Sequence, residues 1–175
     1  ARIKHAVAAP NRRRGRFELA HQGTLFLDEV ADLGHRAQAK LLRALESGVI
    51  ERVGGSEPIE VDVRIVAATN RDLRAEVKAG RFREDLLFRL EVIPIHIPPL
   101  RERPEDIPLL LDHARERMRR HRGLTPVRFD QEAVEALSSY PWPGNVRELL
   151  NLVERFTILH GGREIGIAEV RSVVE

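Results

Sequence analysis

The 175-residue sequence is 42% hydrophobic and 32% charged, which excludes a disordered chain and fits one domain with a small appendage. Twenty-nine Lys and Arg against 27 Asp and Glu give a formal charge of +2, so there is no general field for nucleic acid. The absence of cysteine excludes a disulfide framework and a thiolate zinc site, and no apolar run approaches the roughly 20 residues that cross a bilayer.

The first residues, ARIKHAVAAP, have no sustained apolar stretch, so no signal peptide is expected. Arginines 12–14 form a basic run that reads as a solvated surface, as does the run at 115–122, with a phosphate-binding surface as the alternative for each. GTLFLDE, 23–29, predicts a buried parallel strand whose carboxyl end opens on two acids. HRAQAKLLRALESG predicts a helix with Ala39, Leu42 and Leu45 on one side and Gly48 as its stop. VIERV and PIEV flank Gly54-Gly55-Ser56 as a hairpin. VDVRIVAATN is the next strand, with a small-residue end at Ala67-Ala68 that invites close approach. RDLRAEVKAG is a short helix closed by Gly80, FREDLLFRL is helical, and EVIPIHIPP is extended because Pro94 cannot sit inside a helix.

Strands alternating with helices predict a parallel α/β sheet. The proline-rich stretch 98–104 divides the chain into an α/β core, 1–103, and a small all-α lid, 104–175. In the lid, Ile107, Leu110, Leu111, Ala114 and Met118 form one helical stripe. Asp130 can cap a second helix, and a third starts at Gly144-Asn145 with Val146, Leu149, Val153 and Phe156 in register, ending at Gly161-Gly162. The seven histidines, His5, His21, His35, His96, His113, His121 and His160, have no metal-binding spacing.

Leu25-Phe26-Leu27-Asp28-Glu29 is the most informative segment. An apolar strand with adjacent acids at its tip suits an NTPase, the Asp holding Mg²⁺ and the Glu polarising water. The same pair could instead be an exposed acidic cap on the next helix. Thr69-Asn70 ends the neighbouring strand, where an amide can orient water or a γ-phosphate. Arg83 and Arg89 lie six apart; they could reach a phosphate or form surface salt bridges. Arg147, in the first turn of the third lid helix, has the alternative of pairing with a nearby acid.

RRRGRFELAHQGTLFLDEV, QAKLLRALESGVIERVGG, VDVRIVAATNRDL, GRFREDLLFRLEVIPIHIPPLRERPEDIPLL and YPWPGNVRELLNLVER occur in this order. Together they resemble the AAA+ ATPase domain of sigma-54-dependent transcription activators, the bacterial enhancer-binding proteins, over residues 12–160. The resemblance implies a partial P-loop NTPase sheet followed by a helical lid. It places Asp28 and Glu29 at the Walker B positions, for Mg²⁺ through its water shell and for water activation. It places Asn70 with Thr69 at sensor I, Arg83 and Arg89 as trans-acting arginine fingers in a homo-oligomeric ring, usually a hexamer, and Arg147 at sensor II. ATP and Mg²⁺ are the implied cofactors, the sigma-54 RNA polymerase holoenzyme the implied partner, and the bacterial cytoplasm the implied location. Hydrolysis would drive remodelling of the closed promoter complex.

The sequence departs from that pattern in two places. No G-x-x-x-x-G-K-[ST] occurs, so the main phosphate cradle is not among these residues. The family loop lies upstream, truncation is the simplest expectation, and this polypeptide alone should have no appreciable ATPase activity. Without the first strand, a sheet edge or unfilled core should make it aggregation-prone. Lys4-His5-Ala6-Val7-Ala8-Ala9 stands where the family has its GAFTGA sigma-contacting loop and lacks both the glycines and the aromatic. No terminal helix-turn-helix is present, so DNA contact would come only from outside these residues. The rival readings are a non-hydrolysing assembly module in transcription regulation, another AAA+ class, and a plain DNA-binding protein. PPLRERPEDIPLL and YPWPGNVREL argue against the second, and near-neutral charge argues against the third.

Overall fold

The computed structural model, which describes residues 14–52, 55 and 57–174, divides into two units, Ala1–Pro94 and Ile95–Glu175. In the first, a one-turn helix α1 (Arg16–Leu19) precedes β1 (Gly23–Leu27), a 3-10 turn (Val30–Asp32) and α2 (His35–Ser47). A hairpin of β2 (Val49–Glu51) and β3 (Pro58–Glu60) leads to β4 (Val63–Ala67) and the short helices α3 (Leu73–Lys78) and α4 (Glu84–Leu90). β1 and β4 pair in parallel, Leu25 opposite Ile65 and Leu27 opposite Ala67. The parallel pairing is the one expected from the sequence, but β1 is not the buried strand expected: no residue of it is buried, because the described residues place no helix or strand over its Phe26 face. Gly54 and Ser56 of the hairpin turn, and the segment 4–9, lie outside the described residues.

Local chemistry sets the element ends. Gly48 closes α2 at φ 66°, a left-handed conformation that costs glycine little, and donates its N–H to the Ala44 carbonyl. Asp72 caps α3 by accepting from Arg74 N and Ala75 N at 2.9 and 3.2 Å.

The buried face of α2 differs from the expected one. Gln38, Leu41, Leu42 and Ala44 are buried, whereas Ala39 and Leu45 are only partly so. The stripe is turned because α2 packs against α4, in a cluster of Val30, Leu41, Leu42, Phe82, Leu86 and Leu87. The sheet lies apart from this cluster's centre. No residue of β1 or β4 is buried, and Phe26 and Val66 are 58% and 42% exposed.

The second unit is built from α5 (Ile107–Arg122), α6 (Gln131–Ser139), α7 (Asn145–His160) and α8 (Ile167–Val174). Its core collects Leu100, Ile107, Leu111, Leu137, Leu149, Val153 and Phe156 around Trp142, whose indole N–H donates to the Leu137 carbonyl at 2.8 Å. Asp130 caps α6 as expected, accepting from Ala133 N at 2.7 Å. Two features go beyond the three expected helices: α8, and a two-residue parallel pairing of β5 (Arg128–Phe129) with β6 (Glu164–Ile165). Both depend on contacts distant in sequence. Ile165 and Val170 enter the core only because β6 adds to β5 and α8 packs on α6. Among the described residues no helix is long and apolar enough to cross a membrane.

Candidate functional site

Main-chain bonds join the tips of β1 and β4. Ala68 N–H donates to the Leu27 carbonyl at 2.8 Å, and Val30 N–H donates to the Ala68 carbonyl at 3.0 Å. Ala68 thus grips the chain on both sides of Asp28 and Glu29, which is the close approach that the small residues at 67–68 allow. Asp28 and Glu29 are exposed on one strand tip, with Thr69 and Asn70 immediately after the other. Asp28 Oδ1 accepts from Glu29 N at 3.0 Å, and Thr69 Oγ1 from Arg71 N at 3.1 Å, a bond that tightens the turn after β4.

Glu29 has φ 51° and ψ 47°, left-handed without being glycine. Such a residue costs about 1–3 kcal/mol and persists where its surroundings over-determine it, a recurrent feature of functional sites. It precedes the 3-10 turn but makes no side-chain cap bond, so its carboxylate is not used as a helix cap. Exposed adjacent carboxylates are hard oxygen donors of the kind Mg²⁺ accepts while it keeps several waters. Among the described residues no group of three or more His, Cys, Asp or Glu gathers as a self-sufficient metal cage.

Arg83 sits at the N-cap of α4 with its side chain exposed. Its Nε and Nη2 donate to both oxygens of Asp85 at 3.0 and 2.7 Å. That bidentate pair holds the Asp85 carboxyl below its ordinary range and raises Arg83. Arg89, near the end of α4, donates from Nη2 to the Leu45 carbonyl of α2 at 2.9 Å. In the second unit, Arg147 lies exposed in the first turn of α7 and lines an open groove of ≈ 590 Å³ with Arg117, Met118, Val146, Leu150 and Asn151.

Sequence reasoning passed over two groups that bind these parts together. Gln38 is fully buried in α2: its Nε2 donates to the Leu33 carbonyl at 2.6 Å and the Arg81 carbonyl at 2.9 Å, and its Oε1 accepts from Arg83 N at 2.9 Å. A glutamine three and four residues before Leu41 and Leu42, on their face of the helix, was the available signal. Glu76, also buried, takes both guanidinium bonds of Arg81 at 2.7 and 2.8 Å. These bonds, more than the opposing effect of burial, lower the Glu76 pKa. Arg71, directly after Asn70, reaches Glu76 at 3.8 Å and also pairs with Asp32, in the turn that follows the two acids.

Comparison with known proteins places the chain in a family. The sigma-54 interaction domain family matches residues 6–96, and the AAA+ ATPase lid domain matches residues 101–175. The DNA-binding transcriptional regulator NtrC of Rhizobium meliloti (strain 1021) is 52% identical over 172 residues, covering 96% of this chain and 35% of that protein. The transcriptional regulatory protein XylR of Pseudomonas putida is 54% identical over 158 residues, 90% of this chain and 28% of that one. The chain therefore spans about a third of the length of the curated relatives it matches. The crystal structure of NtrX from Brucella abortus in complex with ATP superposes at a TM-score of 0.80 with 43% identity, over 85% of this chain and 35% of that one.

Proposed function

We propose, for a chain that belongs to the sigma-54 interaction domain family of AAA+ ATPases, that it supplies the acid- and arginine-bearing part of an ATP-hydrolysing transcription activator. Hydrolysis would remodel the sigma-54 RNA polymerase holoenzyme in the bacterial cytoplasm and open promoter DNA. The observation that carries this reading is the joining of the two strand tips through Ala68, which holds Asp28-Glu29 beside Thr69-Asn70.

The residues divide the work. Mg²⁺ bound with ATP would neutralise charge on the β- and γ-phosphates, and Asp28 would hold it through its water shell. Glu29, fixed in its left-handed conformation, accepts the proton of the attacking water. Thr69 and Asn70 orient that water or the γ-phosphate. Arg83 at the N-cap of α4 and Arg89 within it, both exposed, reach the phosphates of a neighbouring subunit in a homo-oligomeric ring, six subunits in this reading. Arg147, exposed in the first turn of α7, is the nucleotide-sensing residue of the lid in this reading. Residues 4–9 are assigned no sigma contact, since they lack the glycines and the aromatic. The NtrX structure with ATP supports nucleotide as the ligand class for this fold.

The test exchanges these residues for the matching segment of the Rhizobium meliloti NtrC and measures ATP binding and turnover in the chimera. Glu29→Gln should lower kcat by about 10²–10⁴-fold, the usual worth of a positioned general base, with ATP affinity nearly unchanged. Unchanged turnover would sink the assignment of Glu29. A chimera that binds ATP and never hydrolyses it would favour the assembly-module reading instead.

A further inference from the structure

Five of the six main-chain polar groups of residues 81–83 have identified partners. Arg81 N–H and Phe82 N–H both donate to the Glu76 carbonyl, at 2.9 and 3.2 Å, and the Arg83 carbonyl accepts from Leu87 N as α4 begins. Two further groups, the Arg81 carbonyl and the Arg83 N–H, are met by one side-chain amide, that of Gln38. Phe82, between the two arginines, is buried at 3% exposure beside Leu86 at 0%. The segment therefore has a fixed inner side and two guanidiniums at the surface, that of Arg81 bound across to the buried Glu76 and that of Arg83 bound only to the exposed Asp85 two residues on.

A buried amide costs free energy unless its donors and acceptor are all engaged, and a leucine or methionine would fill this helix position without that requirement. The partners chosen are informative. Gln38 joins the Leu33 carbonyl, just beyond the 3-10 turn that follows Asp28-Glu29, to the main chain on both sides of Phe82. One residue of α2 thus sets the distance between the loop after the acids and the root of Arg83. We infer that Gln38 is a positioning residue: it holds the Arg83 main chain in register with the acid-bearing loop, so that the guanidinium leaves the subunit from a fixed root. The inference rests on the reading of Arg83 as an arginine that acts on a neighbouring subunit's phosphates. Such a side chain works by pre-organisation, and displacement by about 1 Å can cost on the order of 10²-fold in rate.

The first experiment uses the full 175-residue chain and amide hydrogen exchange. Gln38→Met, close in volume but without the amide, should speed exchange at the Arg83 amide by about tenfold or more while the amides of Leu41–Leu45 keep their protection. Gln38→Glu in its protonated form retains an acceptor for Arg83 N–H and one donor for the carbonyls, and should restore protection at Arg83. Unchanged Arg83 exchange in Gln38→Met overturns the inference. If Gln38→Met does not fold, Gln38→Glu decides alone, and loss of Arg83 protection there with α2 intact also overturns it.

The second experiment separates positioning from packing in the NtrC chimera. Gln38→Met should lower kcat by roughly 10–100-fold at an unchanged KM for ATP, and Gln38→Glu should recover most of the loss. Arg83→Ala should cost about 10³-fold or more. If Arg83→Ala leaves turnover intact, the reading of Arg83 falls and the catalytic half of the inference with it. If Arg83→Ala abolishes turnover while Gln38→Met, with its Arg83 amide loosened, turns over normally, the inference alone falls.

Discussion

The two units use apolar side chains very differently. Among the described residues of Ile95–Glu175, fourteen buried side chains from the four helices, β6 and the segments between them form one cluster, with eight partly buried residues packed against it. Among the described residues of Ala1–Pro94 the buried cluster has six members and is centred on α2 and α4, and the sheet reaches it only through the partly buried Leu27. Parallel strands are ordinarily covered on both faces. Here β1 and β4 have no buried residue, and the strand tips that carry Asp28, Glu29, Thr69 and Asn70 rest on that thinly covered sheet. The lid unit is held mainly by apolar burial. The acid-bearing unit relies more on ion pairs and buried hydrogen bonds: Glu76 with Arg81, Glu18 with Arg52, and Gln38 with its three main-chain partners.

The largest effect should come from breaking the better-packed unit. Leu149 is fully buried in α7, and Leu149→Ala should cost about 2–5 kcal/mol, the range for a leucine deleted from a core that cannot collapse around the gap. Trp142 is the sole tryptophan and sits in the same cluster, so its emission reports this unit. Denaturant unfolding followed by Trp142 fluorescence should shift to a much lower midpoint. Amide protection in α2 and α4, measured in the same variant, should stay near that of the parent chain. Parallel loss in both units would mean that their stabilities are not separable in this way.

Much of this contrast was legible in the sequence, and the unread part has a physical cause. The existence and parallel pairing of β1 and β4, the Gly48 stop, the Asp130 cap and the α5 and α7 stripes are local, and each is legible in residue type and spacing; the burial expected of β1 is not, because it depends on what covers the sheet. The strand-tip residues were readable because a strand end announces itself in a change of residue type. Gln38, Glu76 and Arg81 were not read, because their meaning lies in partners such as the Leu33 carbonyl and Arg83 N. A glutamine on a helix usually faces water, and only the turned packing of α2 on α4 buries this one. The α8 helix and the β5–β6 pair were missed for the same reason, since Ile165 and Val170 become core only through distant contacts.

Acid should separate the units by chemistry. Glu76 is held below its ordinary pKa by the Arg81 hydrogen bonds and Glu18 by those of Arg52, and both carboxylates are largely buried; the lowered Asp85 lies at the surface with Arg83 and contributes little. Each native carboxylate therefore binds a proton less readily than its unfolded counterpart. The stability it contributes is present above the ordinary carboxylate value, about 4, and is lost as pH falls through the lowered native value. In the second unit the comparable case is Glu116 with Arg120, a pair one helical turn apart on the surface that contributes little. Amide protection at 81–87 should fail at a higher pH than the Trp142 emission changes, and Arg81→Met should remove the Glu76 part of that acid sensitivity. Simultaneous loss of both signals would contradict the assignment of acid sensitivity to the first unit.

The smallest thermodynamic effect should come from the sheet. Phe26 is 58% exposed and Val66 42%, on paired strands, so Phe26→Thr removes apolar surface that already meets water. Unfolding midpoints should move by no more than about 0.5 kcal/mol, since threonine is a good strand former and no cavity is created. Self-association should respond far more. Exposed apolar side chains beside unpaired strand edges favour edge-to-edge contact, and a polar residue on that face weakens it. Light scattering against concentration should therefore fall in Phe26→Thr while its urea midpoint stays near that of the parent. A large loss of stability without any change in association would show that Phe26 packs against the unit's own core and that the sheet is better covered than its exposure indicates.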